Sequence, residues 1–286
     1  MGTNTVDEPL ISVIMGVYYR KADTVFLKRS VQSILDQTYN NFEFLICDDG
    51  SSQEALTTLE RLVRQDSRIK LVRGIQRTDL ASKLNACLNR SNGVYIARMD
   101  DDDWSDPWRF AKQVHALANN RNIAFVGSNV ALCRSGKNCG ERLFYEFPEV
   151  KDFLMTQPFV HPALMFRKEA LDAVGGYSES KKQILCEDYD LLLRLYASGF
   201  RGMNLQENLL QYSIPATAKG NRSMRHRWNE SITRYERFRD LGLLPLAWPF
   251  VLKPLAVGLL PDRFLQEIKH QRERGHDRCG RKNTRY

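Results

Sequence analysis

Residues 94–110 read VYIARMDDDDWSDPWRF, an apolar run that ends directly at four consecutive aspartates, Asp100 to Asp103. The run from Val94 to Met99 predicts a buried strand because it is short, apolar and rich in strand-forming residues. Like charges repel one another and resist leaving water, so four adjacent carboxylates after a buried strand need a reason. These residues leave two explanations open: an exposed acidic turn, or a site that holds a cation.

Upstream of this stretch, strands and helices alternate with short connections. The predicted strands are residues 11–17, 42–47, 69–72 and 94–99, with helices after Asp23–Thr24, after Ser52 and over 80–88. This alternation predicts an α/β fold with a mostly parallel sheet covered by helices on both faces. Ligands of such sheets bind at the carboxyl ends of the strands. We therefore expect the turn after Val17, the turn at Asp48 to Gly50 and the aspartate run to meet at one edge.

The pattern changes downstream of Pro107. Further predicted elements are a helix to about Asn119, a strand over 123–127, an irregular stretch at 142–147, a helix near 150–155, a strand at 163–166 and a helix over 187–196. Residues 220–286 carry 15 Lys and Arg against 7 Asp and Glu, whereas the remaining 27 of each sign balance. We predict one domain over residues 9–215 and a separate basic extension over 220–286.

The extension contains a candidate basic helix, 222–240, followed by the apolar run LGLLPLAWPFVLKPLAVGLLP at 241–261. About 20 apolar residues can span a bilayer, but Pro245, Pro249, Pro254 and Lys253 inside the run disfavour a span. The alternatives are a broken helix lying on an anionic membrane surface and packing onto the globular domain. A basic tail also suits nucleic acid, but the apolar run favours lipid, so no nucleic-acid partner is expected.

Six cysteines without regular spacing indicate free thiols rather than disulfides or a zinc site. No basic segment precedes an apolar one near the N-terminus, so no signal peptide is predicted. We therefore expect a cytoplasmic protein, either free or peripheral on the inner face of the plasma membrane.

Asp100 and Asp102 alternate, so in an extended segment both side chains point the same way. Mg²⁺ and Mn²⁺ take oxygen ligands and commonly bind one or two carboxylates together with substrate phosphates. The position of the pair after a buried strand favours a metal site over an acidic surface turn.

The order of motifs resembles a known family. The segments ISVIMGVYYRK, NNFEFLICDDGSS, VYIARMDDDDWSDPWRF, HPALMFRKEALDAVGGYSE and EDYDLLLRL lie in the order found in inverting family-two glycosyltransferases with the GT-A fold, across about residues 11–212. The resemblance implies that Gly16 to Tyr18 and the turn Asp48-Asp49-Gly50-Ser51 hold the base and ribose of a nucleotide sugar. It assigns Asp48 to the uracil edge.

The same resemblance implies that Asp100 and Asp102 form an Asp-x-Asp motif, with Asp102 the direct ligand of Mn²⁺ or Mg²⁺. Glu187 and Asp188 then supply the general base, with Asp188 preferred. The implied function is metal-dependent, inverting transfer of a hexosyl or related sugar from a nucleotide sugar, most simply a UDP-sugar. The implied acceptor is a saccharide, free or lipid-linked, in the synthesis of capsule, exopolysaccharide or O-antigen.

The sequence also departs from the family pattern. Gly16 replaces a proline, and Asp79 stands where a glycine is common and is expected to cap the third helix. Lys83 is a candidate for offsetting diphosphate charge, with a solvated lysine as the alternative. Asp103 is expected to bind Arg98 or Arg109. His161 either contacts the acceptor or diphosphate, or fixes the turn before a strand.

Two other functions remain as alternatives. One is a non-catalytic, membrane-associated scaffold or sugar-nucleotide-binding module, which the intact acidic motifs disfavour. The other is a nucleotidyltransferase, which normally needs a glycine-rich basic phosphate loop. Residues 14–21 offer only Gly16 with Arg20 and Lys21, so this alternative has weaker support.

Overall fold

A computed structural model describes residues 8–20, 24–73, 79–134, 136–214 and 223–259. The chain divides into two compact units, Met1–Ala218 and Lys219–Tyr286.

The first unit contains nine strands and six α-helices among its described residues. The strands are β1 (Ile11–Val17), β2 (Phe42–Asp48), β3 (Ile69–Arg73), β4 (Tyr95–Arg98), β5 (Trp104–Ser105), β6 (Phe125–Arg134), β7 (Lys137–Arg142), β8 (Met165–Arg167) and β9 (Gly202–Ile214). The helices are α1 (Val25–Leu35), α2 (Gln53–Gln65), α3 (Leu80–Leu88), α4 (Arg109–Asn119), α5 (Lys168–Ala173) and α6 (Glu187–Ala197). Short 3₁₀ turns occupy Val150–Phe153 and His161–Ala163.

These strands form one sheet in the order β3-β2-β1-β4-β8-β6-β9-β5, with β7 added to β6. The first four strands are parallel, β8 runs antiparallel to β4 and β6, and β6 and β9 are again parallel. Every residue of β2 is buried, as expected for a strand of a sheet that is covered on both faces. The predicted mostly parallel α/β sheet is confirmed.

The predicted convergence at one sheet edge follows from the strand register. Val17 at the end of β1 lies beside Asp48 at the end of β2. On the other side of β1, Arg98 at the end of β4 pairs with Ile14, so the aspartate run continues alongside the last residues of β1. Met99 extends this alignment by donating its backbone N–H to the carbonyl oxygen of Ile14.

Some local predictions differ from the structure. The strands β5, β7 and β9 were not predicted, and the helix expected near 150–155 is a single 3₁₀ turn. Thr24 precedes α1 but makes no side-chain capping bond, and Asp23 lies outside the described residues. Four of the five described cysteines are buried free thiols as predicted; Cys139 is exposed, and Cys279 lies outside the described residues.

The described part of the second unit consists of α7 (Met224–Asp240) and α8 (Trp248–Gly258). Ser223 caps α7 by accepting the N–H of His226, and Pro254 lies inside α8. In the parts of the chain that the structure describes, no helix is both long and apolar enough to cross a bilayer. The spanning alternative for the apolar run therefore has no counterpart within residues 241–259.

Candidate active site

An open cleft of about 500 Å³ lies at the carboxyl ends of β1 and β2, lined by Tyr18, Tyr19, Arg20, Gly50 and Ser52. Two hydrogen bonds join the loops that form it. Tyr19 donates its backbone N–H to the Ser51 hydroxyl at 2.9 Å, and Ser52 donates its N–H to the Tyr19 carbonyl at 2.7 Å. The turns after β1 and β2, which were predicted to lie at one edge of the sheet, are thus joined to each other by hydrogen bonds beside the cleft.

Asp48 and Asp49, the acidic residues of the second turn, are both almost completely buried. One Asp48 carboxylate oxygen accepts the backbone N–H of Ser51 at 3.3 Å, which fixes the turn. Gly50 has φ of +81°, a conformation that L side chains rarely adopt, so this position favours glycine. The turn therefore has a fixed conformation, with two buried carboxylates next to the residues that line the cleft.

Lys83 is buried, with 8% of its surface exposed, so the alternative of a solvated lysine is wrong. Helix α3 packs so closely over β1 that a Cβ on Gly16 would lie 3.0 Å from the Lys83 Cβ. The lysine stem is therefore directed along the strand end, where Nζ donates to the Val17 carbonyl at 3.4 Å. Asp79 caps α3, as predicted, by accepting the N–H of Ser82 at 3.0 Å.

The four aspartates of the acidic run have four different environments. Asp102 is exposed at the surface, whereas Asp103 is buried. The guanidinium of Arg98, fully buried at the end of β4, forms an ion pair with Asp100. Asp101 accepts a hydrogen bond from the Tyr19 side chain. The run is thus a folded, partly enclosed structure rather than an exposed acidic turn.

The expected pairing of Asp103 with Arg98 or Arg109 is wrong. Asp103 accepts the backbone N–H of Ser213, near the end of β9, at 2.7 Å. Arg109 is directed elsewhere: it donates to the carbonyl oxygens of Pro162 at 3.0 Å and Arg98 at 3.1 Å. The pairing of β5 with β9 brings Ser213 next to Asp103, and both arginines interact with Asp103 only through their charge.

The run is electrostatically strained. Although Asp102 lies at the surface, the surrounding protein removes part of the water around its carboxylate. This partial enclosure, followed by repulsion from Asp100 and Asp101, raises the pKa of Asp102 to about 6. Burial and repulsion from Asp100 raise the pKa of Asp103 to about 8. Burial also raises the pKa of Asp101, against the effect of its hydrogen bond from Tyr19. The single ion pair with Arg98 does not neutralise the run, so an added cation would be stabilised there.

The second acidic pair begins α6. Asp188 is half-buried; one carboxylate oxygen accepts the side-chain amide of Gln157 at 3.1 Å, and the other accepts the N–H of Tyr189 at 2.7 Å. Glu187 is buried, and this burial, followed by the charges of Asp188 and Asp79, raises its pKa to about 7. Gln157 was not identified from the sequence because a single glutamine in an irregular segment carries no pattern.

Tyr177 lies between the two acidic groups. Burial is the main cause of its raised pKa, and the phenol also interacts with the charges of Arg98, Asp100, Glu187 and Asp188. Its hydroxyl group is 2.8 Å from Nε2 of His161, which is itself buried in the turn before β8. Burial and the nearby Arg98 lower the pKa of His161 far below its usual value, so the imidazole is neutral. These contacts agree with the alternative in which His161 fixes the turn.

Asn85 holds Tyr177 against α3, the helix that also carries Lys83. Its side-chain amide donates to the Tyr177 carbonyl at 2.9 Å, and its oxygen accepts the Tyr177 N–H at 2.9 Å. No pattern in the sequence indicated this clamp. Helix α3 therefore contacts both the end of β1, through Lys83, and the segment that carries Tyr177, through Asn85.

The acidic run fits a hard divalent cation by the chemistry of its donors, which are carboxylate oxygens. In the described ranges, no group of three or more His, Cys, Asp or Glu side chains could hold a metal ion by itself. This is consistent with a site in which one or two carboxylates share the cation with substrate phosphates and water. Asp100 and Asp102 are the residues that would contribute.

Replacing Glu187 by glutamine is expected to stabilise the fold at high pH. Because the folded-state pKa is about 7 and the ordinary value is 4.5, the carboxyl group stabilises the fold below pH 4.5, and this contribution is lost as pH rises through 7. At pH 8 the neutral variant should gain up to about 3 kcal/mol in free energy of unfolding, with little change at pH 4. Urea unfolding at both pH values measures the change in free energy of unfolding. The control is Glu149→Gln, a substitution of an exposed glutamate. Equal effects at both pH values would contradict the burial argument.

The chain matches the family described as "Glycosyl transferase family 2" over residues 12–175. It is 34% identical to the putative glycosyltransferase EpsE of Bacillus subtilis, over 92% of this chain and 94% of EpsE. It is 28% identical to an Escherichia coli enzyme, UDP-Gal:alpha-D-GlcNAc-diphosphoundecaprenol beta-1,3-galactosyltransferase, over 82% of this chain and 85% of that protein.

Among solved structures, the fold is similar to that of the mannosyltransferase PcManGT from Pyrobaculum calidifontis in complex with GDP-Man and Mn²⁺. The TM-score is 0.61 at 17% identity, covering 93% of this chain and 81% of that one. The likeness confirms the predicted GT-A fold.

Proposed function

This chain belongs to glycosyl transferase family 2, and on that premise we propose that it transfers a sugar from a UDP-sugar to a hydroxyl group of a lipid-linked saccharide during synthesis of a bacterial surface polysaccharide. The observation that carries the proposal is the meeting, at one sheet edge, of a cleft lined by two tyrosines and a run of four aspartates that one ion pair does not neutralise. The E. coli relative, whose name specifies UDP-Gal and a diphosphoundecaprenol-linked acceptor, supports this choice of donor and acceptor. A GDP-sugar is the second candidate, since the structural neighbour binds GDP-Man.

In this proposal, the nucleoside of the donor occupies the cleft lined by Tyr18, Tyr19 and Arg20. Tyr18 offers a ring face for stacking, and Asp48 offers carboxylate oxygens to the edge of the base. The proposal places Asp49 beside the ribose. It places Gly16 next to the donor, at the point where β1 packs closely against Lys83. The Lys83 ammonium group, held in the interior 6.0 Å from the Tyr18 ring centre, supplies positive charge near the diphosphate.

Asp100 and Asp102 would hold Mn²⁺ or Mg²⁺. When bound, the cation supplies positive charge that stabilises the departing diphosphate. The aspartates provide anionic oxygen ligands, and Arg98 holds Asp100 from the interior through its ion pair. The Mn²⁺ in the mannosyltransferase complex supports a divalent cation in this role.

Asp188 serves as the general base. It accepts the proton of the acceptor hydroxyl while that oxygen forms a bond with the anomeric carbon of the donor sugar. The bond from the anomeric carbon to the diphosphate breaks, and its electron pair leaves with the nucleoside diphosphate. A single displacement from the opposite face inverts the anomeric centre and needs no protein nucleophile.

Removing the Gln157 amide is expected to alter proton transfer more than substrate binding. The amide donates a hydrogen bond to the Asp188 carboxylate and fixes its orientation, so Gln157→Ala should leave the general base less well placed for proton transfer. We expect kcat to fall about tenfold with KM little changed. Gln157→Glu, which cannot donate when ionised, should be no better than alanine. An unchanged kcat with a raised KM would instead assign Gln157 to substrate binding.

The proposal is tested by assaying the purified protein with UDP- and GDP-sugars, with and without Mn²⁺, against a polyprenyl-diphosphate-linked saccharide. NMR of the product reports whether the anomeric centre is inverted. Calorimetric titration of UDP and GDP separates donor binding from turnover. Metal-dependent UDP binding together with an inverted product supports the proposal. GDP binding alone would change the donor, and a well-folded protein that binds neither nucleotide would refute the proposed donor site.

A further inference from the structure

The second unit exposes large apolar side chains along one side of α8. Trp248, Leu252 and Leu259 are 43%, 52% and 80% exposed, whereas Val251 and Pro254 are buried. Trp248, Leu252 and Leu259 follow one another at intervals of four and seven residues, so they share one face of the helix. Ala256, also exposed, completes this stripe. Helix α8 therefore carries apolar side chains on its solvent-exposed side as well as on its buried side.

Helix α7 carries a comparable stripe. Trp228 is 57% exposed and Tyr235 38% exposed, seven residues further on and hence on the same face. Arg225 and Arg239 are exposed near the two ends of this stripe. The opposite face is buried and includes Phe238, Thr233 and Arg234. The exposed side of α7 thus combines aromatic rings with terminal cations.

The two stripes form one continuous surface. The rings of Tyr235 on α7 and Trp248 on α8 have centres 5.6 Å apart. We call the surface formed by Trp228, Tyr235, Trp248, Leu252 and Leu259 the aromatic face. Apolar side chains this large and this close together are seldom left in water unless the surface binds something.

We propose that the aromatic face docks on the surface of a lipid bilayer that contains anionic phospholipids. Tryptophan and tyrosine are the residues that favour the bilayer interface, since each has an apolar body and a polar tip. The described residues of this unit carry six Lys and Arg against three Asp and Glu. Arg227 and Arg234 are buried, but Arg225 and Arg239 are exposed near the aromatic rings, where they complement anionic headgroups. Exposed cations disfavour a bare hydrophobic protein interface, whose centre is depleted of charge.

The geometry fits docking in the plane of the membrane. Helix α8 has eleven residues, which is roughly 16 Å of helix, about half the thickness of a hydrocarbon core. A helix of this length can lie at the headgroup level with Trp248 and Leu252 inserted. Docking would bring the enzyme to the surface where a lipid-linked acceptor is carried. That consequence rests on the proposed function, whereas the docking itself does not.

The test is co-sedimentation of the full-length protein with vesicles of phosphatidylcholine, with and without phosphatidylglycerol. The wild type should bind the anionic vesicles more tightly, and its tryptophan fluorescence should shift to the blue. The double variant Trp228→Ser/Trp248→Ser should lose at least about tenfold in vesicle affinity. Trp108→Ser is the matched control, because Trp108 is also 57% exposed but lies in the first unit. Circular dichroism confirms that each variant is folded.

Three results would overturn the proposal. The wild type could fail to bind either vesicle, or the double variant could bind as well as the control. Sedimentation equilibrium could instead show a wild-type dimer that the double variant converts to a monomer without any vesicle binding, which would make the aromatic face an interface between copies. UDP binding by calorimetry separates this outcome from failure of the proposed function. A variant that loses vesicles but keeps UDP affects docking alone.

Discussion

Replacing Asp102 by asparagine is expected to reduce metal-dependent binding of UDP by about a hundredfold or more and to reduce turnover at least as much. Asp102 is the exposed carboxylate of the acidic run, whereas Asp100 is partly engaged by Arg98 and Asp103 by Ser213. The substitution keeps the size of the side chain and removes the negative charge that a divalent cation would need. It also relieves repulsion within the run, so the variant should unfold at the same temperature or higher.

The matched control is Asp106→Asn, which removes one charge from the same segment outside the acidic run. Asp106 accepts the N–H of Trp108 at 2.9 Å, a bond that an asparagine oxygen can also accept. Calorimetry with UDP in the presence and absence of Mn²⁺ should show a loss for Asp102→Asn alone. Retention of Mn²⁺-dependent binding in Asp102→Asn would refute the assignment of this residue as a metal ligand. Equal losses in both variants would mean that removing any negative charge from this segment weakens UDP binding, and that Asp102 has no specific role as a metal ligand.

The carboxyl edge of the sheet was predictable from sequence because parallel strands are buried on both faces and read as continuous apolar runs. β1, β2 and β4 show such runs, and the apolar runs of β2 and β4 end at aspartates. β9 gave no such signal. Its middle residues, Gln206 to Asn208, are exposed, and its pairing with β6 contains shifts of register. Contacts between residues 77 to 80 positions apart in the chain, rather than a local pattern, define that strand.

The same distinction between local sequence pattern and long-range contacts explains which residues of the site could be predicted. The aspartate run could be identified because its charge is extreme within one short segment, whereas the roles of Asp48 and Asp188 were implied only by the family resemblance. The partners of these residues come from elsewhere. Ser213 reaches Asp103 across 110 positions, and Gln157 reaches Asp188 from an irregular segment. The burial of Lys83 depends on the absence of a side chain at Gly16, on a different element.

Replacing Asp188 by asparagine is expected to lower kcat by about a thousandfold or more while leaving UDP binding within a factor of two. An asparagine retains the shape of the side chain and can still bond Gln157 after rotation of its amide, but it cannot accept a proton from the acceptor hydroxyl. Donor binding should persist because Asp188 belongs to α6, and the donor cleft is built from the loops after β1 and β2. Single-turnover kinetics with bound donor isolate the chemical step from product release.

Glu187→Gln decides between the two adjacent acids. Glu187 is buried and partly protonated at neutral pH, since its pKa is about 7, whereas Asp188 is only half-buried and its ionised form is stabilised by the Gln157 amide. If Asp188 is the base, Glu187→Gln should retain most of the turnover at pH 7, and the acidic limb of its kcat–pH profile should persist. If Glu187 is the base, the result reverses: Glu187→Gln abolishes turnover, and Asp188→Asn only shifts the profile. Similar moderate losses in both variants would mean that neither carboxylate alone takes the proton, and the single-base mechanism proposed above would be wrong.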